Sequence, residues 1–456
     1  MIIEYSSFAG HYRFVDSHHQ RFPGANTFTV IVGKNGTGKS RLLRNIILNL
    51  LGRDVPSSLF DRNELLPKHE PLGSLHTYVS PNKIICASTS PFDRFPLPRR
   101  AAVIPGYSYL GLRGLPSNNL SVSYLSKTIN TLVDSIANTP EITSSITNIL
   151  RYLGYEPSIT ISLQTLPPSI LEELIRVHDP HSWAQDRMRT GPMGLVSDTL
   201  NCFRQMLEAP PRLILDAARR MTQGERQEKW RRSCEISIEA GRLNARSSKG
   251  DSTSDVLLYL KAGLLRLKEV TLRKHETAEQ IKISDASSGE QSVLLSLLGI
   301  GSQIRDGSLV CIDEPEVCLH PEWQEKYIQL LHQTFDHVSG CHFLIATHSP
   351  QIVAQLPEGN CHVMSMDTGI ATNAKRYSHK SIDYQLAEVF GAPGFRNEYL
   401  SRVALSLFSS VSKRRAFDEK SRRTLSGLEK VTGLLQPGDP VLDIITALKE
   451  MRQQYE

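Results

Sequence analysis

The sequence predicts an α/β fold: a largely parallel sheet, split by a helical insertion and followed by a helical tail. Three observations carry this. Apolar or β-branched runs recur at 28–32, 84–87, 309–312 and 343–346, and each ends on a glycine, a serine, an acid or a Thr-His pair, where a buried strand would stop. Stretches with 3.6-residue apolar spacing follow, as at 41–50 and 293–300. Between 115 and 254 the strand signals fade, and helical spacing broken by Pro157, Pro167-Pro168, Pro180 and Pro210-Pro211 takes over.

The first strand, Phe28–Val32, feeds Gly33, Lys34, Asn35, Gly36, Thr37, Gly38, Lys39 and Ser40. A β-branched strand opening into a glycine-rich turn that ends in Lys-Ser is a phosphate-binding loop. Backbone N–H groups can wrap an anion only where no side chain intervenes, and the helix behind aims its positive end at the same point. Lys39 is expected to neutralise the outer phosphates of ATP, and Ser40 to ligate Mg²⁺. Far downstream, Leu309–Ile312 delivers Asp313 and Glu314 to a strand tip. Asp313 is read as the second Mg²⁺ holder and Glu314 as the group that polarises the attacking water.

Between these motifs, Asp285 to Ser292 precedes an apolar helix. Ser287, Ser288 and Gly289 place hydroxyl caps and a small residue at its start, an anion-binding arrangement that in isolation also describes an ordinary capped helix. Finally, His342–Thr347 carries His348 to the C-terminal end of a buried strand, where ligands of parallel sheets sit.

In this order the four motifs resemble the ATP-binding-cassette head, in the soluble branch with RecF, the Rad/SbcC-type repair ATPases, SMC and the OLD-type ATPases. The resemblance covers about the first 110 residues and roughly 255–390. It implies that Ala286 to Glu290 stand at the signature sequence, Glu314 at the catalytic carboxylate and His348 at the switch histidine. Glu314 to Pro321 looks like the Glu-Pro-Glu-x-x-Leu-His-Pro run of OLD-like and defence-associated ATPases. Lys83 to Phe95 stands where a Q-loop belongs but lacks a glutamine. In its Pro-Phe-Asp-Arg-Phe and Tyr-Leu-Gly-Leu-Arg runs and its compact tail, the chain is similar to the ATPase subunits of bacterial antiphage systems such as PARIS and Septu.

The net charge of +5, from 52 basic against 47 acidic residues, does not by itself predict a nucleic-acid partner. Two local clusters are more suggestive: Arg219, Arg220, Arg226, Lys229, Arg231 and Arg232 on an expected helical stretch, and Lys413 to Arg415 with Lys420, Arg422 and Arg423. Each reads as a solvated helix face or as a site for an acidic partner. The seven cysteines form no C-x-x-C pair, which argues for reduced core thiols and against a zinc site. No apolar run approaches the roughly 18–20 residues of a membrane span, and the N-terminus lacks signal-peptide features, so the expected location is the cytoplasm.

The expected division is a head lobe at 1–114, a helical insertion at 115–254, a second head lobe at 255–392 and a helical tail at 393–456. Asn244 to Ser254 reads as a mobile polar loop, and Leu267–Arg273 with Glu279–Ser284 as a hairpin leading into the signature. Proline breaks the insertion too often for the long heptad rods of SMC. No Toprim-type acidic motif follows Ser349. The resemblance implies a homo-oligomer with ATP sites between protomers, because the signature of one chain closes the γ-phosphate site of another. The leading expectation is an ATPase sensor and scaffold of an antiphage complex, controlling a separate effector such as a nuclease, with nucleic acid or a DNA-mimicking protein as trigger. The alternative is a RecF-like DNA-binding repair ATPase. A transporter ATPase would need a membrane partner and a proper Q-loop.

Overall fold

The computed structural model describes residues 1–16, 24–52, 59–60, 73–99, 104–115, 120–139, 142–190, 197–223, 230, 232–239 and 242–455. Its centre is a seven-stranded sheet in the order Ala371–Asn373, Cys361–Ser365, Thr27–Val32, His342–Thr347, Leu309–Asp313, Ile84–Ser88 and Tyr107–Leu110. All pairings are parallel except that of the edge strand Ala371–Asn373. The central strands are buried end to end, as parallel strands covered on both faces must be. One face, with Ile31, Cys86, Cys311 and Leu344, packs on the helix Lys39–Leu51 through Leu42, Leu43, Ile46 and Ile47. The other, with Val30, Ile85, Val310 and Phe343, packs on the helices Ser288–Gly301 and Pro321–Thr334. A small antiparallel sheet, Gly10–Arg13, Ile2–Ser7 and Ser74–Thr77, flanks the first face.

The helical insertion expected over 115–254 is corrected by the structure. Helices Leu120–Asn138, Ile142–Tyr152, Pro168–Arg176, Pro180–Thr190, Ser197–Glu208 and Pro211–Thr222 are present, but so are strands Tyr155–Thr165, Ser233–Glu239 and Arg242–Ser247. With Leu265–Lys274 and Gln280–Lys282 these build a second, wholly antiparallel sheet of five strands. Ile159, Ile161 and Leu163 alternate with Thr160, Ser162 and Gln164, burying one face against the insertion's helices. Pro157 hid this pattern; near the start of a strand it is tolerated. The loop expected at 244–254 is likewise mostly ordered: Arg242–Ser247 is a strand, and Ser252 caps the helix Thr253–Lys261 through a capping box with Asp255. The expected hairpin forms, with Thr271 paired to Lys282 and Arg273 to Gln280.

After Ala392 the chain is helical, as expected: Glu398–Arg414, Glu419–Val431 and Pro440–Tyr455 enclose a core of their own around Leu400, Leu407, Val411, Leu425, Ile445 and Leu448. Among the described residues no helix is long and apolar enough to cross a membrane.

Candidate functional site

The seven-stranded sheet brings three strand tips to one edge. Thr27–Val32 lies beside His342–Thr347, which lies beside Leu309–Asp313, with Asp313 in register with Ala346 and Ala346 with Ile31. Gly33–Ser40, Asp313-Glu314 and His348, scattered across the sequence, therefore meet at the C-terminal end of the parallel strands, where such sheets bind ligands.

Gly36 and Gly38 take φ of 81° and 96°, a left-handed backbone that side chains rarely adopt. Gly33 is required by space: a β-carbon there would lie 2.8 Å from Thr37 Oγ1 and 3.0 Å from Met366 Cβ. Thr37 closes the turn by donating its hydroxyl to the Lys34 carbonyl at 2.8 Å. Lys34, Asn35 and Gly36 are exposed at the rim, whereas Lys39 is buried at the first turn of its helix. The Lys39 ammonium donates to the Gly33 carbonyl at 2.9 Å and the Lys34 carbonyl at 3.3 Å, so it threads back under the loop. It also lies 2.7 Å from His348 Nε2. An ammonium has no acceptor, so the imidazole must receive this bond in neutral form. Burial, and then the Lys39 charge, lower the His348 pKa in agreement with that state. Burial also lowers the Lys39 pKa, opposed by Glu314, Asp313 and Glu316.

Ser40 donates its hydroxyl to Asp313 Oδ1 at 3.1 Å. Burial pushes the Asp313 carboxyl up to about 7, with Glu314 and Asp93 adding to the rise. Glu314 begins the turn after the strand in a left-handed conformation, φ 51°, an uncommon backbone for a non-glycine residue that recurs at functional sites. Its amide donates to the Ala346 carbonyl at 2.9 Å, and its carboxylate lies 3.4 Å from His348 Nε2.

This donor set fits Mg·ATP. The loop offers backbone N–H groups with the glycine conformations that turn them inward, and Lys39 supplies a cation beneath them. The Ser40 hydroxyl beside a buried carboxylate is the sparse protein contribution Mg²⁺ takes when phosphate oxygens and waters complete its shell. A divalent ion there would relieve the desolvated charge of Asp313. Among the described residues, this site included, no three or more His, Cys, Asp or Glu side chains are grouped so that they could hold a metal ion.

The signature residues sit apart from this group. Ser287 caps the helix Ser288–Gly301 in a capping box with Glu290, and Ser287 and Ser288 are exposed. Gly289 is buried, where a β-carbon would contact the Cys318 carbonyl and Trp323 at 3.5 Å. No hydrogen bond joins Ser287, Ser288 or Gly289 to the phosphate loop among the described residues.

Three neighbours lie in segments that the sequence singles out without giving these residues a role. Ser88 donates to the Asp313 carbonyl at 3.1 Å. Glu316 accepts from the His348 amide, and burial raises its pKa. Asp93, fully buried, accepts from the Tyr109 hydroxyl at 2.6 Å and from Arg113 Nε at 3.1 Å. The two sequence runs Pro-Phe-Asp-Arg-Phe and Tyr-Leu-Gly-Leu-Arg thus form one latch. Their signal was an unexplained pair of mixed polar and aromatic runs, which one-dimensional spacing could not join. The basic cluster on the insertion needs a correction: Arg232 is not on a helix face but buried, paired with Asp251 and bonded to the Met221 carbonyl at 2.5 Å. Arg226, Lys229 and Arg231 lie outside the described residues.

Part of the chain is similar to known proteins. Residues 202–354 match the family described as "AAA domain, putative AbiEii toxin, Type IV TA system", a segment holding the signature helix, Asp313-Glu314 and His348. Over 72 residues, 16% of the chain, it is 36% identical to "Protein ea59" of Escherichia phage lambda. Over 91 residues, 18% of the chain, it is 30% identical to "Retron Ec83 probable ATPase" of Escherichia coli. These alignments span 14% and 16% of the relatives' own lengths. Among solved structures, the SMC head domain from Thermotoga maritima matches at 14% identity over 31% of this chain and 68% of that one, with a TM-score of 0.19. The Smc head domain with an extended coiled coil, bound to the C-terminal domain of ScpA, from Pyrococcus furiosus matches at 12% identity over 82% and 96%, with a TM-score of 0.28. Residues 202–354 are thus similar to an AAA domain, and a short stretch of the chain to part of a retron ATPase.

Proposed function

We propose that this protein binds and hydrolyses Mg·ATP at the Gly33–Ser40 loop and uses the nucleotide cycle to control a separate effector in a defence complex. The observation that carries this reading is the Ser40–Asp313 contact of 3.1 Å, with Lys39, Glu314 and His348 grouped around it. Ser40 and Asp313 would hold Mg²⁺, which when bound neutralises phosphate charge. Lys39 is set to bind the β- and γ-phosphates. Glu314 orients the attacking water and receives its proton, and His348, which accepts from Lys39 at Nε2, would donate to the γ-phosphate through its other ring nitrogen. Ser287, Ser288 and Gly289, exposed or set apart from their own loop, suit closure of a second protomer's nucleotide, which makes a homo-oligomer part of the proposal.

The tail supports a link from nucleotide to effector. A methyl group placed on Gly391 would lie 3.9 Å from Lys34 Cε and 4.0 Å from Leu434 Cδ1, so Gly391 lies near both the rim of the loop and the turn between two tail helices. The tail is the proposed holder of the effector, a nuclease in the reading favoured here, and the related retron ATPase supports a defence setting. In the tail's basic cluster, Arg414 pairs with Asp418 and Arg423 with Glu419, which weakens the case for a DNA-repair clamp. The test is co-purification with the protein encoded beside it, in ATP and in a non-hydrolysable analogue. Nucleotide-dependent capture is expected, and the purified chain alone should cut neither DNA nor RNA. Nuclease activity of the isolated chain that survives Lys39→Ala would overturn the proposal.

A further inference from the structure

We infer that Glu316 is a positioning residue of the nucleotide site: by holding the backbone amide of His348 it sets the imidazole against Lys39 and Glu314. This rests on the ATPase reading above and adds a residue to it. His348 stands just beyond the strand His342–Thr347, so its N–H is past the last rung of the sheet ladder and needs another acceptor. Glu316 Oε1 is that acceptor. The left-handed backbone at Glu314 folds the turn back, and the Glu314 amide on Ala346 and the Val317 amide on Glu314 fix its path. Pro315 stiffens the step between the two acids. The acids then act on opposite ends of one residue. Glu314 faces the His348 ring at 3.4 Å, and Glu316 takes its main chain.

The Glu316 carboxyl is buried: Oε1 receives the His348 amide, Oε2 has no hydrogen-bond partner, and burial raises its pKa. Such a carboxylate is a costly group to keep in a turn that needs only a spacer, and amide bonds to a charged acceptor are stronger than bonds to a neutral one. The geometry makes the Glu-Pro-Glu run a clamp: displacement of the turn moves His348, and hence its contact with Lys39, because the turn and the strand end share this bond.

Turnover, KM and the affinity for a non-hydrolysable ATP analogue should be measured on Glu316→Ala, Glu316→Asp and Glu316→Gln, beside Glu314→Gln, with thermal unfolding as the folding control. Glu316→Ala and the shortened Glu316→Asp should lower kcat about 10- to 100-fold, as misplacement near 1 Å does, with KM and analogue affinity within about twofold. Glu316→Gln, whose amide oxygen still reaches the His348 N–H, should recover most of the rate. If Glu316→Ala does not fold, the Asp and Gln variants carry the same contrast. A parental rate in Glu316→Ala or Glu316→Asp, or equal loss in Gln and Asp, overturns the positioning role while leaving the ATPase reading intact. Absence of turnover in the parent removes the ATPase reading itself, and a parental rate in Glu314→Gln removes only the role given to Glu314.

Discussion

The two large sheets of this molecule place their polar groups in opposite ways. In the seven-stranded parallel sheet both faces are covered, so polar chemistry gathers at the C-terminal edge, where Asp313, Glu314, His348 and Lys39 meet. In the five-stranded antiparallel sheet one face is covered and the other is polar along its length, with Thr160, Ser162 and Gln164 distributed rather than converging. The contrast teaches that an edge concentrates charge in partial burial, where electrostatic interactions are strong, while an open face spreads it into water. The first sheet gathers its charged groups at one point, and the second holds the helices beneath it.

The largest expected effect tests the edge. Lys39→Ala should weaken ATP binding by at least about 100-fold, whereas Glu314→Gln should retain binding and lose turnover by a similar factor, since one group acts on ground-state phosphate charge and the other on the attacking water. Analogue binding and steady-state hydrolysis on the two variants separate these failures. Identical behaviour would break the division of roles.

A second measurement tests the face. Arg232→Ala should leave the partly buried Asp251 without its cation, though still bonded to the Ser247 and Tyr259 hydroxyls, and cost about 1–3 kcal/mol of stability, with analogue affinity of the folded protein unchanged. Ile161→Ala, in the centre of the covered face, should cost about 2–5 kcal/mol in the same way. Chemical denaturation at a temperature where both fold reads the loss. A fall in nucleotide affinity of the folded variants would show that the two sheets are not independent.

The composite-site proposal gives a smaller signal. Ser287→Arg and Lys39→Ala chains, each inactive, should partly complement when mixed, because one interface then keeps both an intact loop and an intact signature. Absence of recovered hydrolysis in verified mixed oligomers would mean that each chain completes its own site.

The smallest effect is on pH. The folded Asp313 carboxyl, pushed up to about 7 by burial from its ordinary 3.8, binds its proton more tightly than the unfolded chain does. Its contribution to stability is therefore full below about pH 4 and lost as pH rises through about 7. Nucleotide-free Asp313→Asn should show a shallower fall of stability over this window than the parent. Equal slopes would remove Asp313 as a strained buried acid.

The edge was legible because its parts are local. Phe28–Ser40, Leu309–Glu314 and His342–His348 each carry an unbroken apolar run and a polar end within a few residues, and the physics of a buried strand entering a turn is written in that order. The antiparallel sheet was not. Tyr155–Thr165 alternates as a strand, but Pro157 and the helices on either side mask it, and its partner Leu265–Lys274 lies far along the chain. Arg232 looked like one member of a solvated basic run until burial and Asp251 gave it a partner.

By itself the sequence determined the glycine-rich loop at 33–40, the acids that face it, the α/β class and the helical tail, because each depends on spacing within one element. Only the tertiary structure decided that Glu316 holds the His348 amide, that Asp93 latches Tyr109 and Arg113, and that Gly391 lies near both Lys34 and Leu434. Those contacts join elements whose separation in sequence carries no distance information, and hydrogen bonding and burial act only across the space that folding closes.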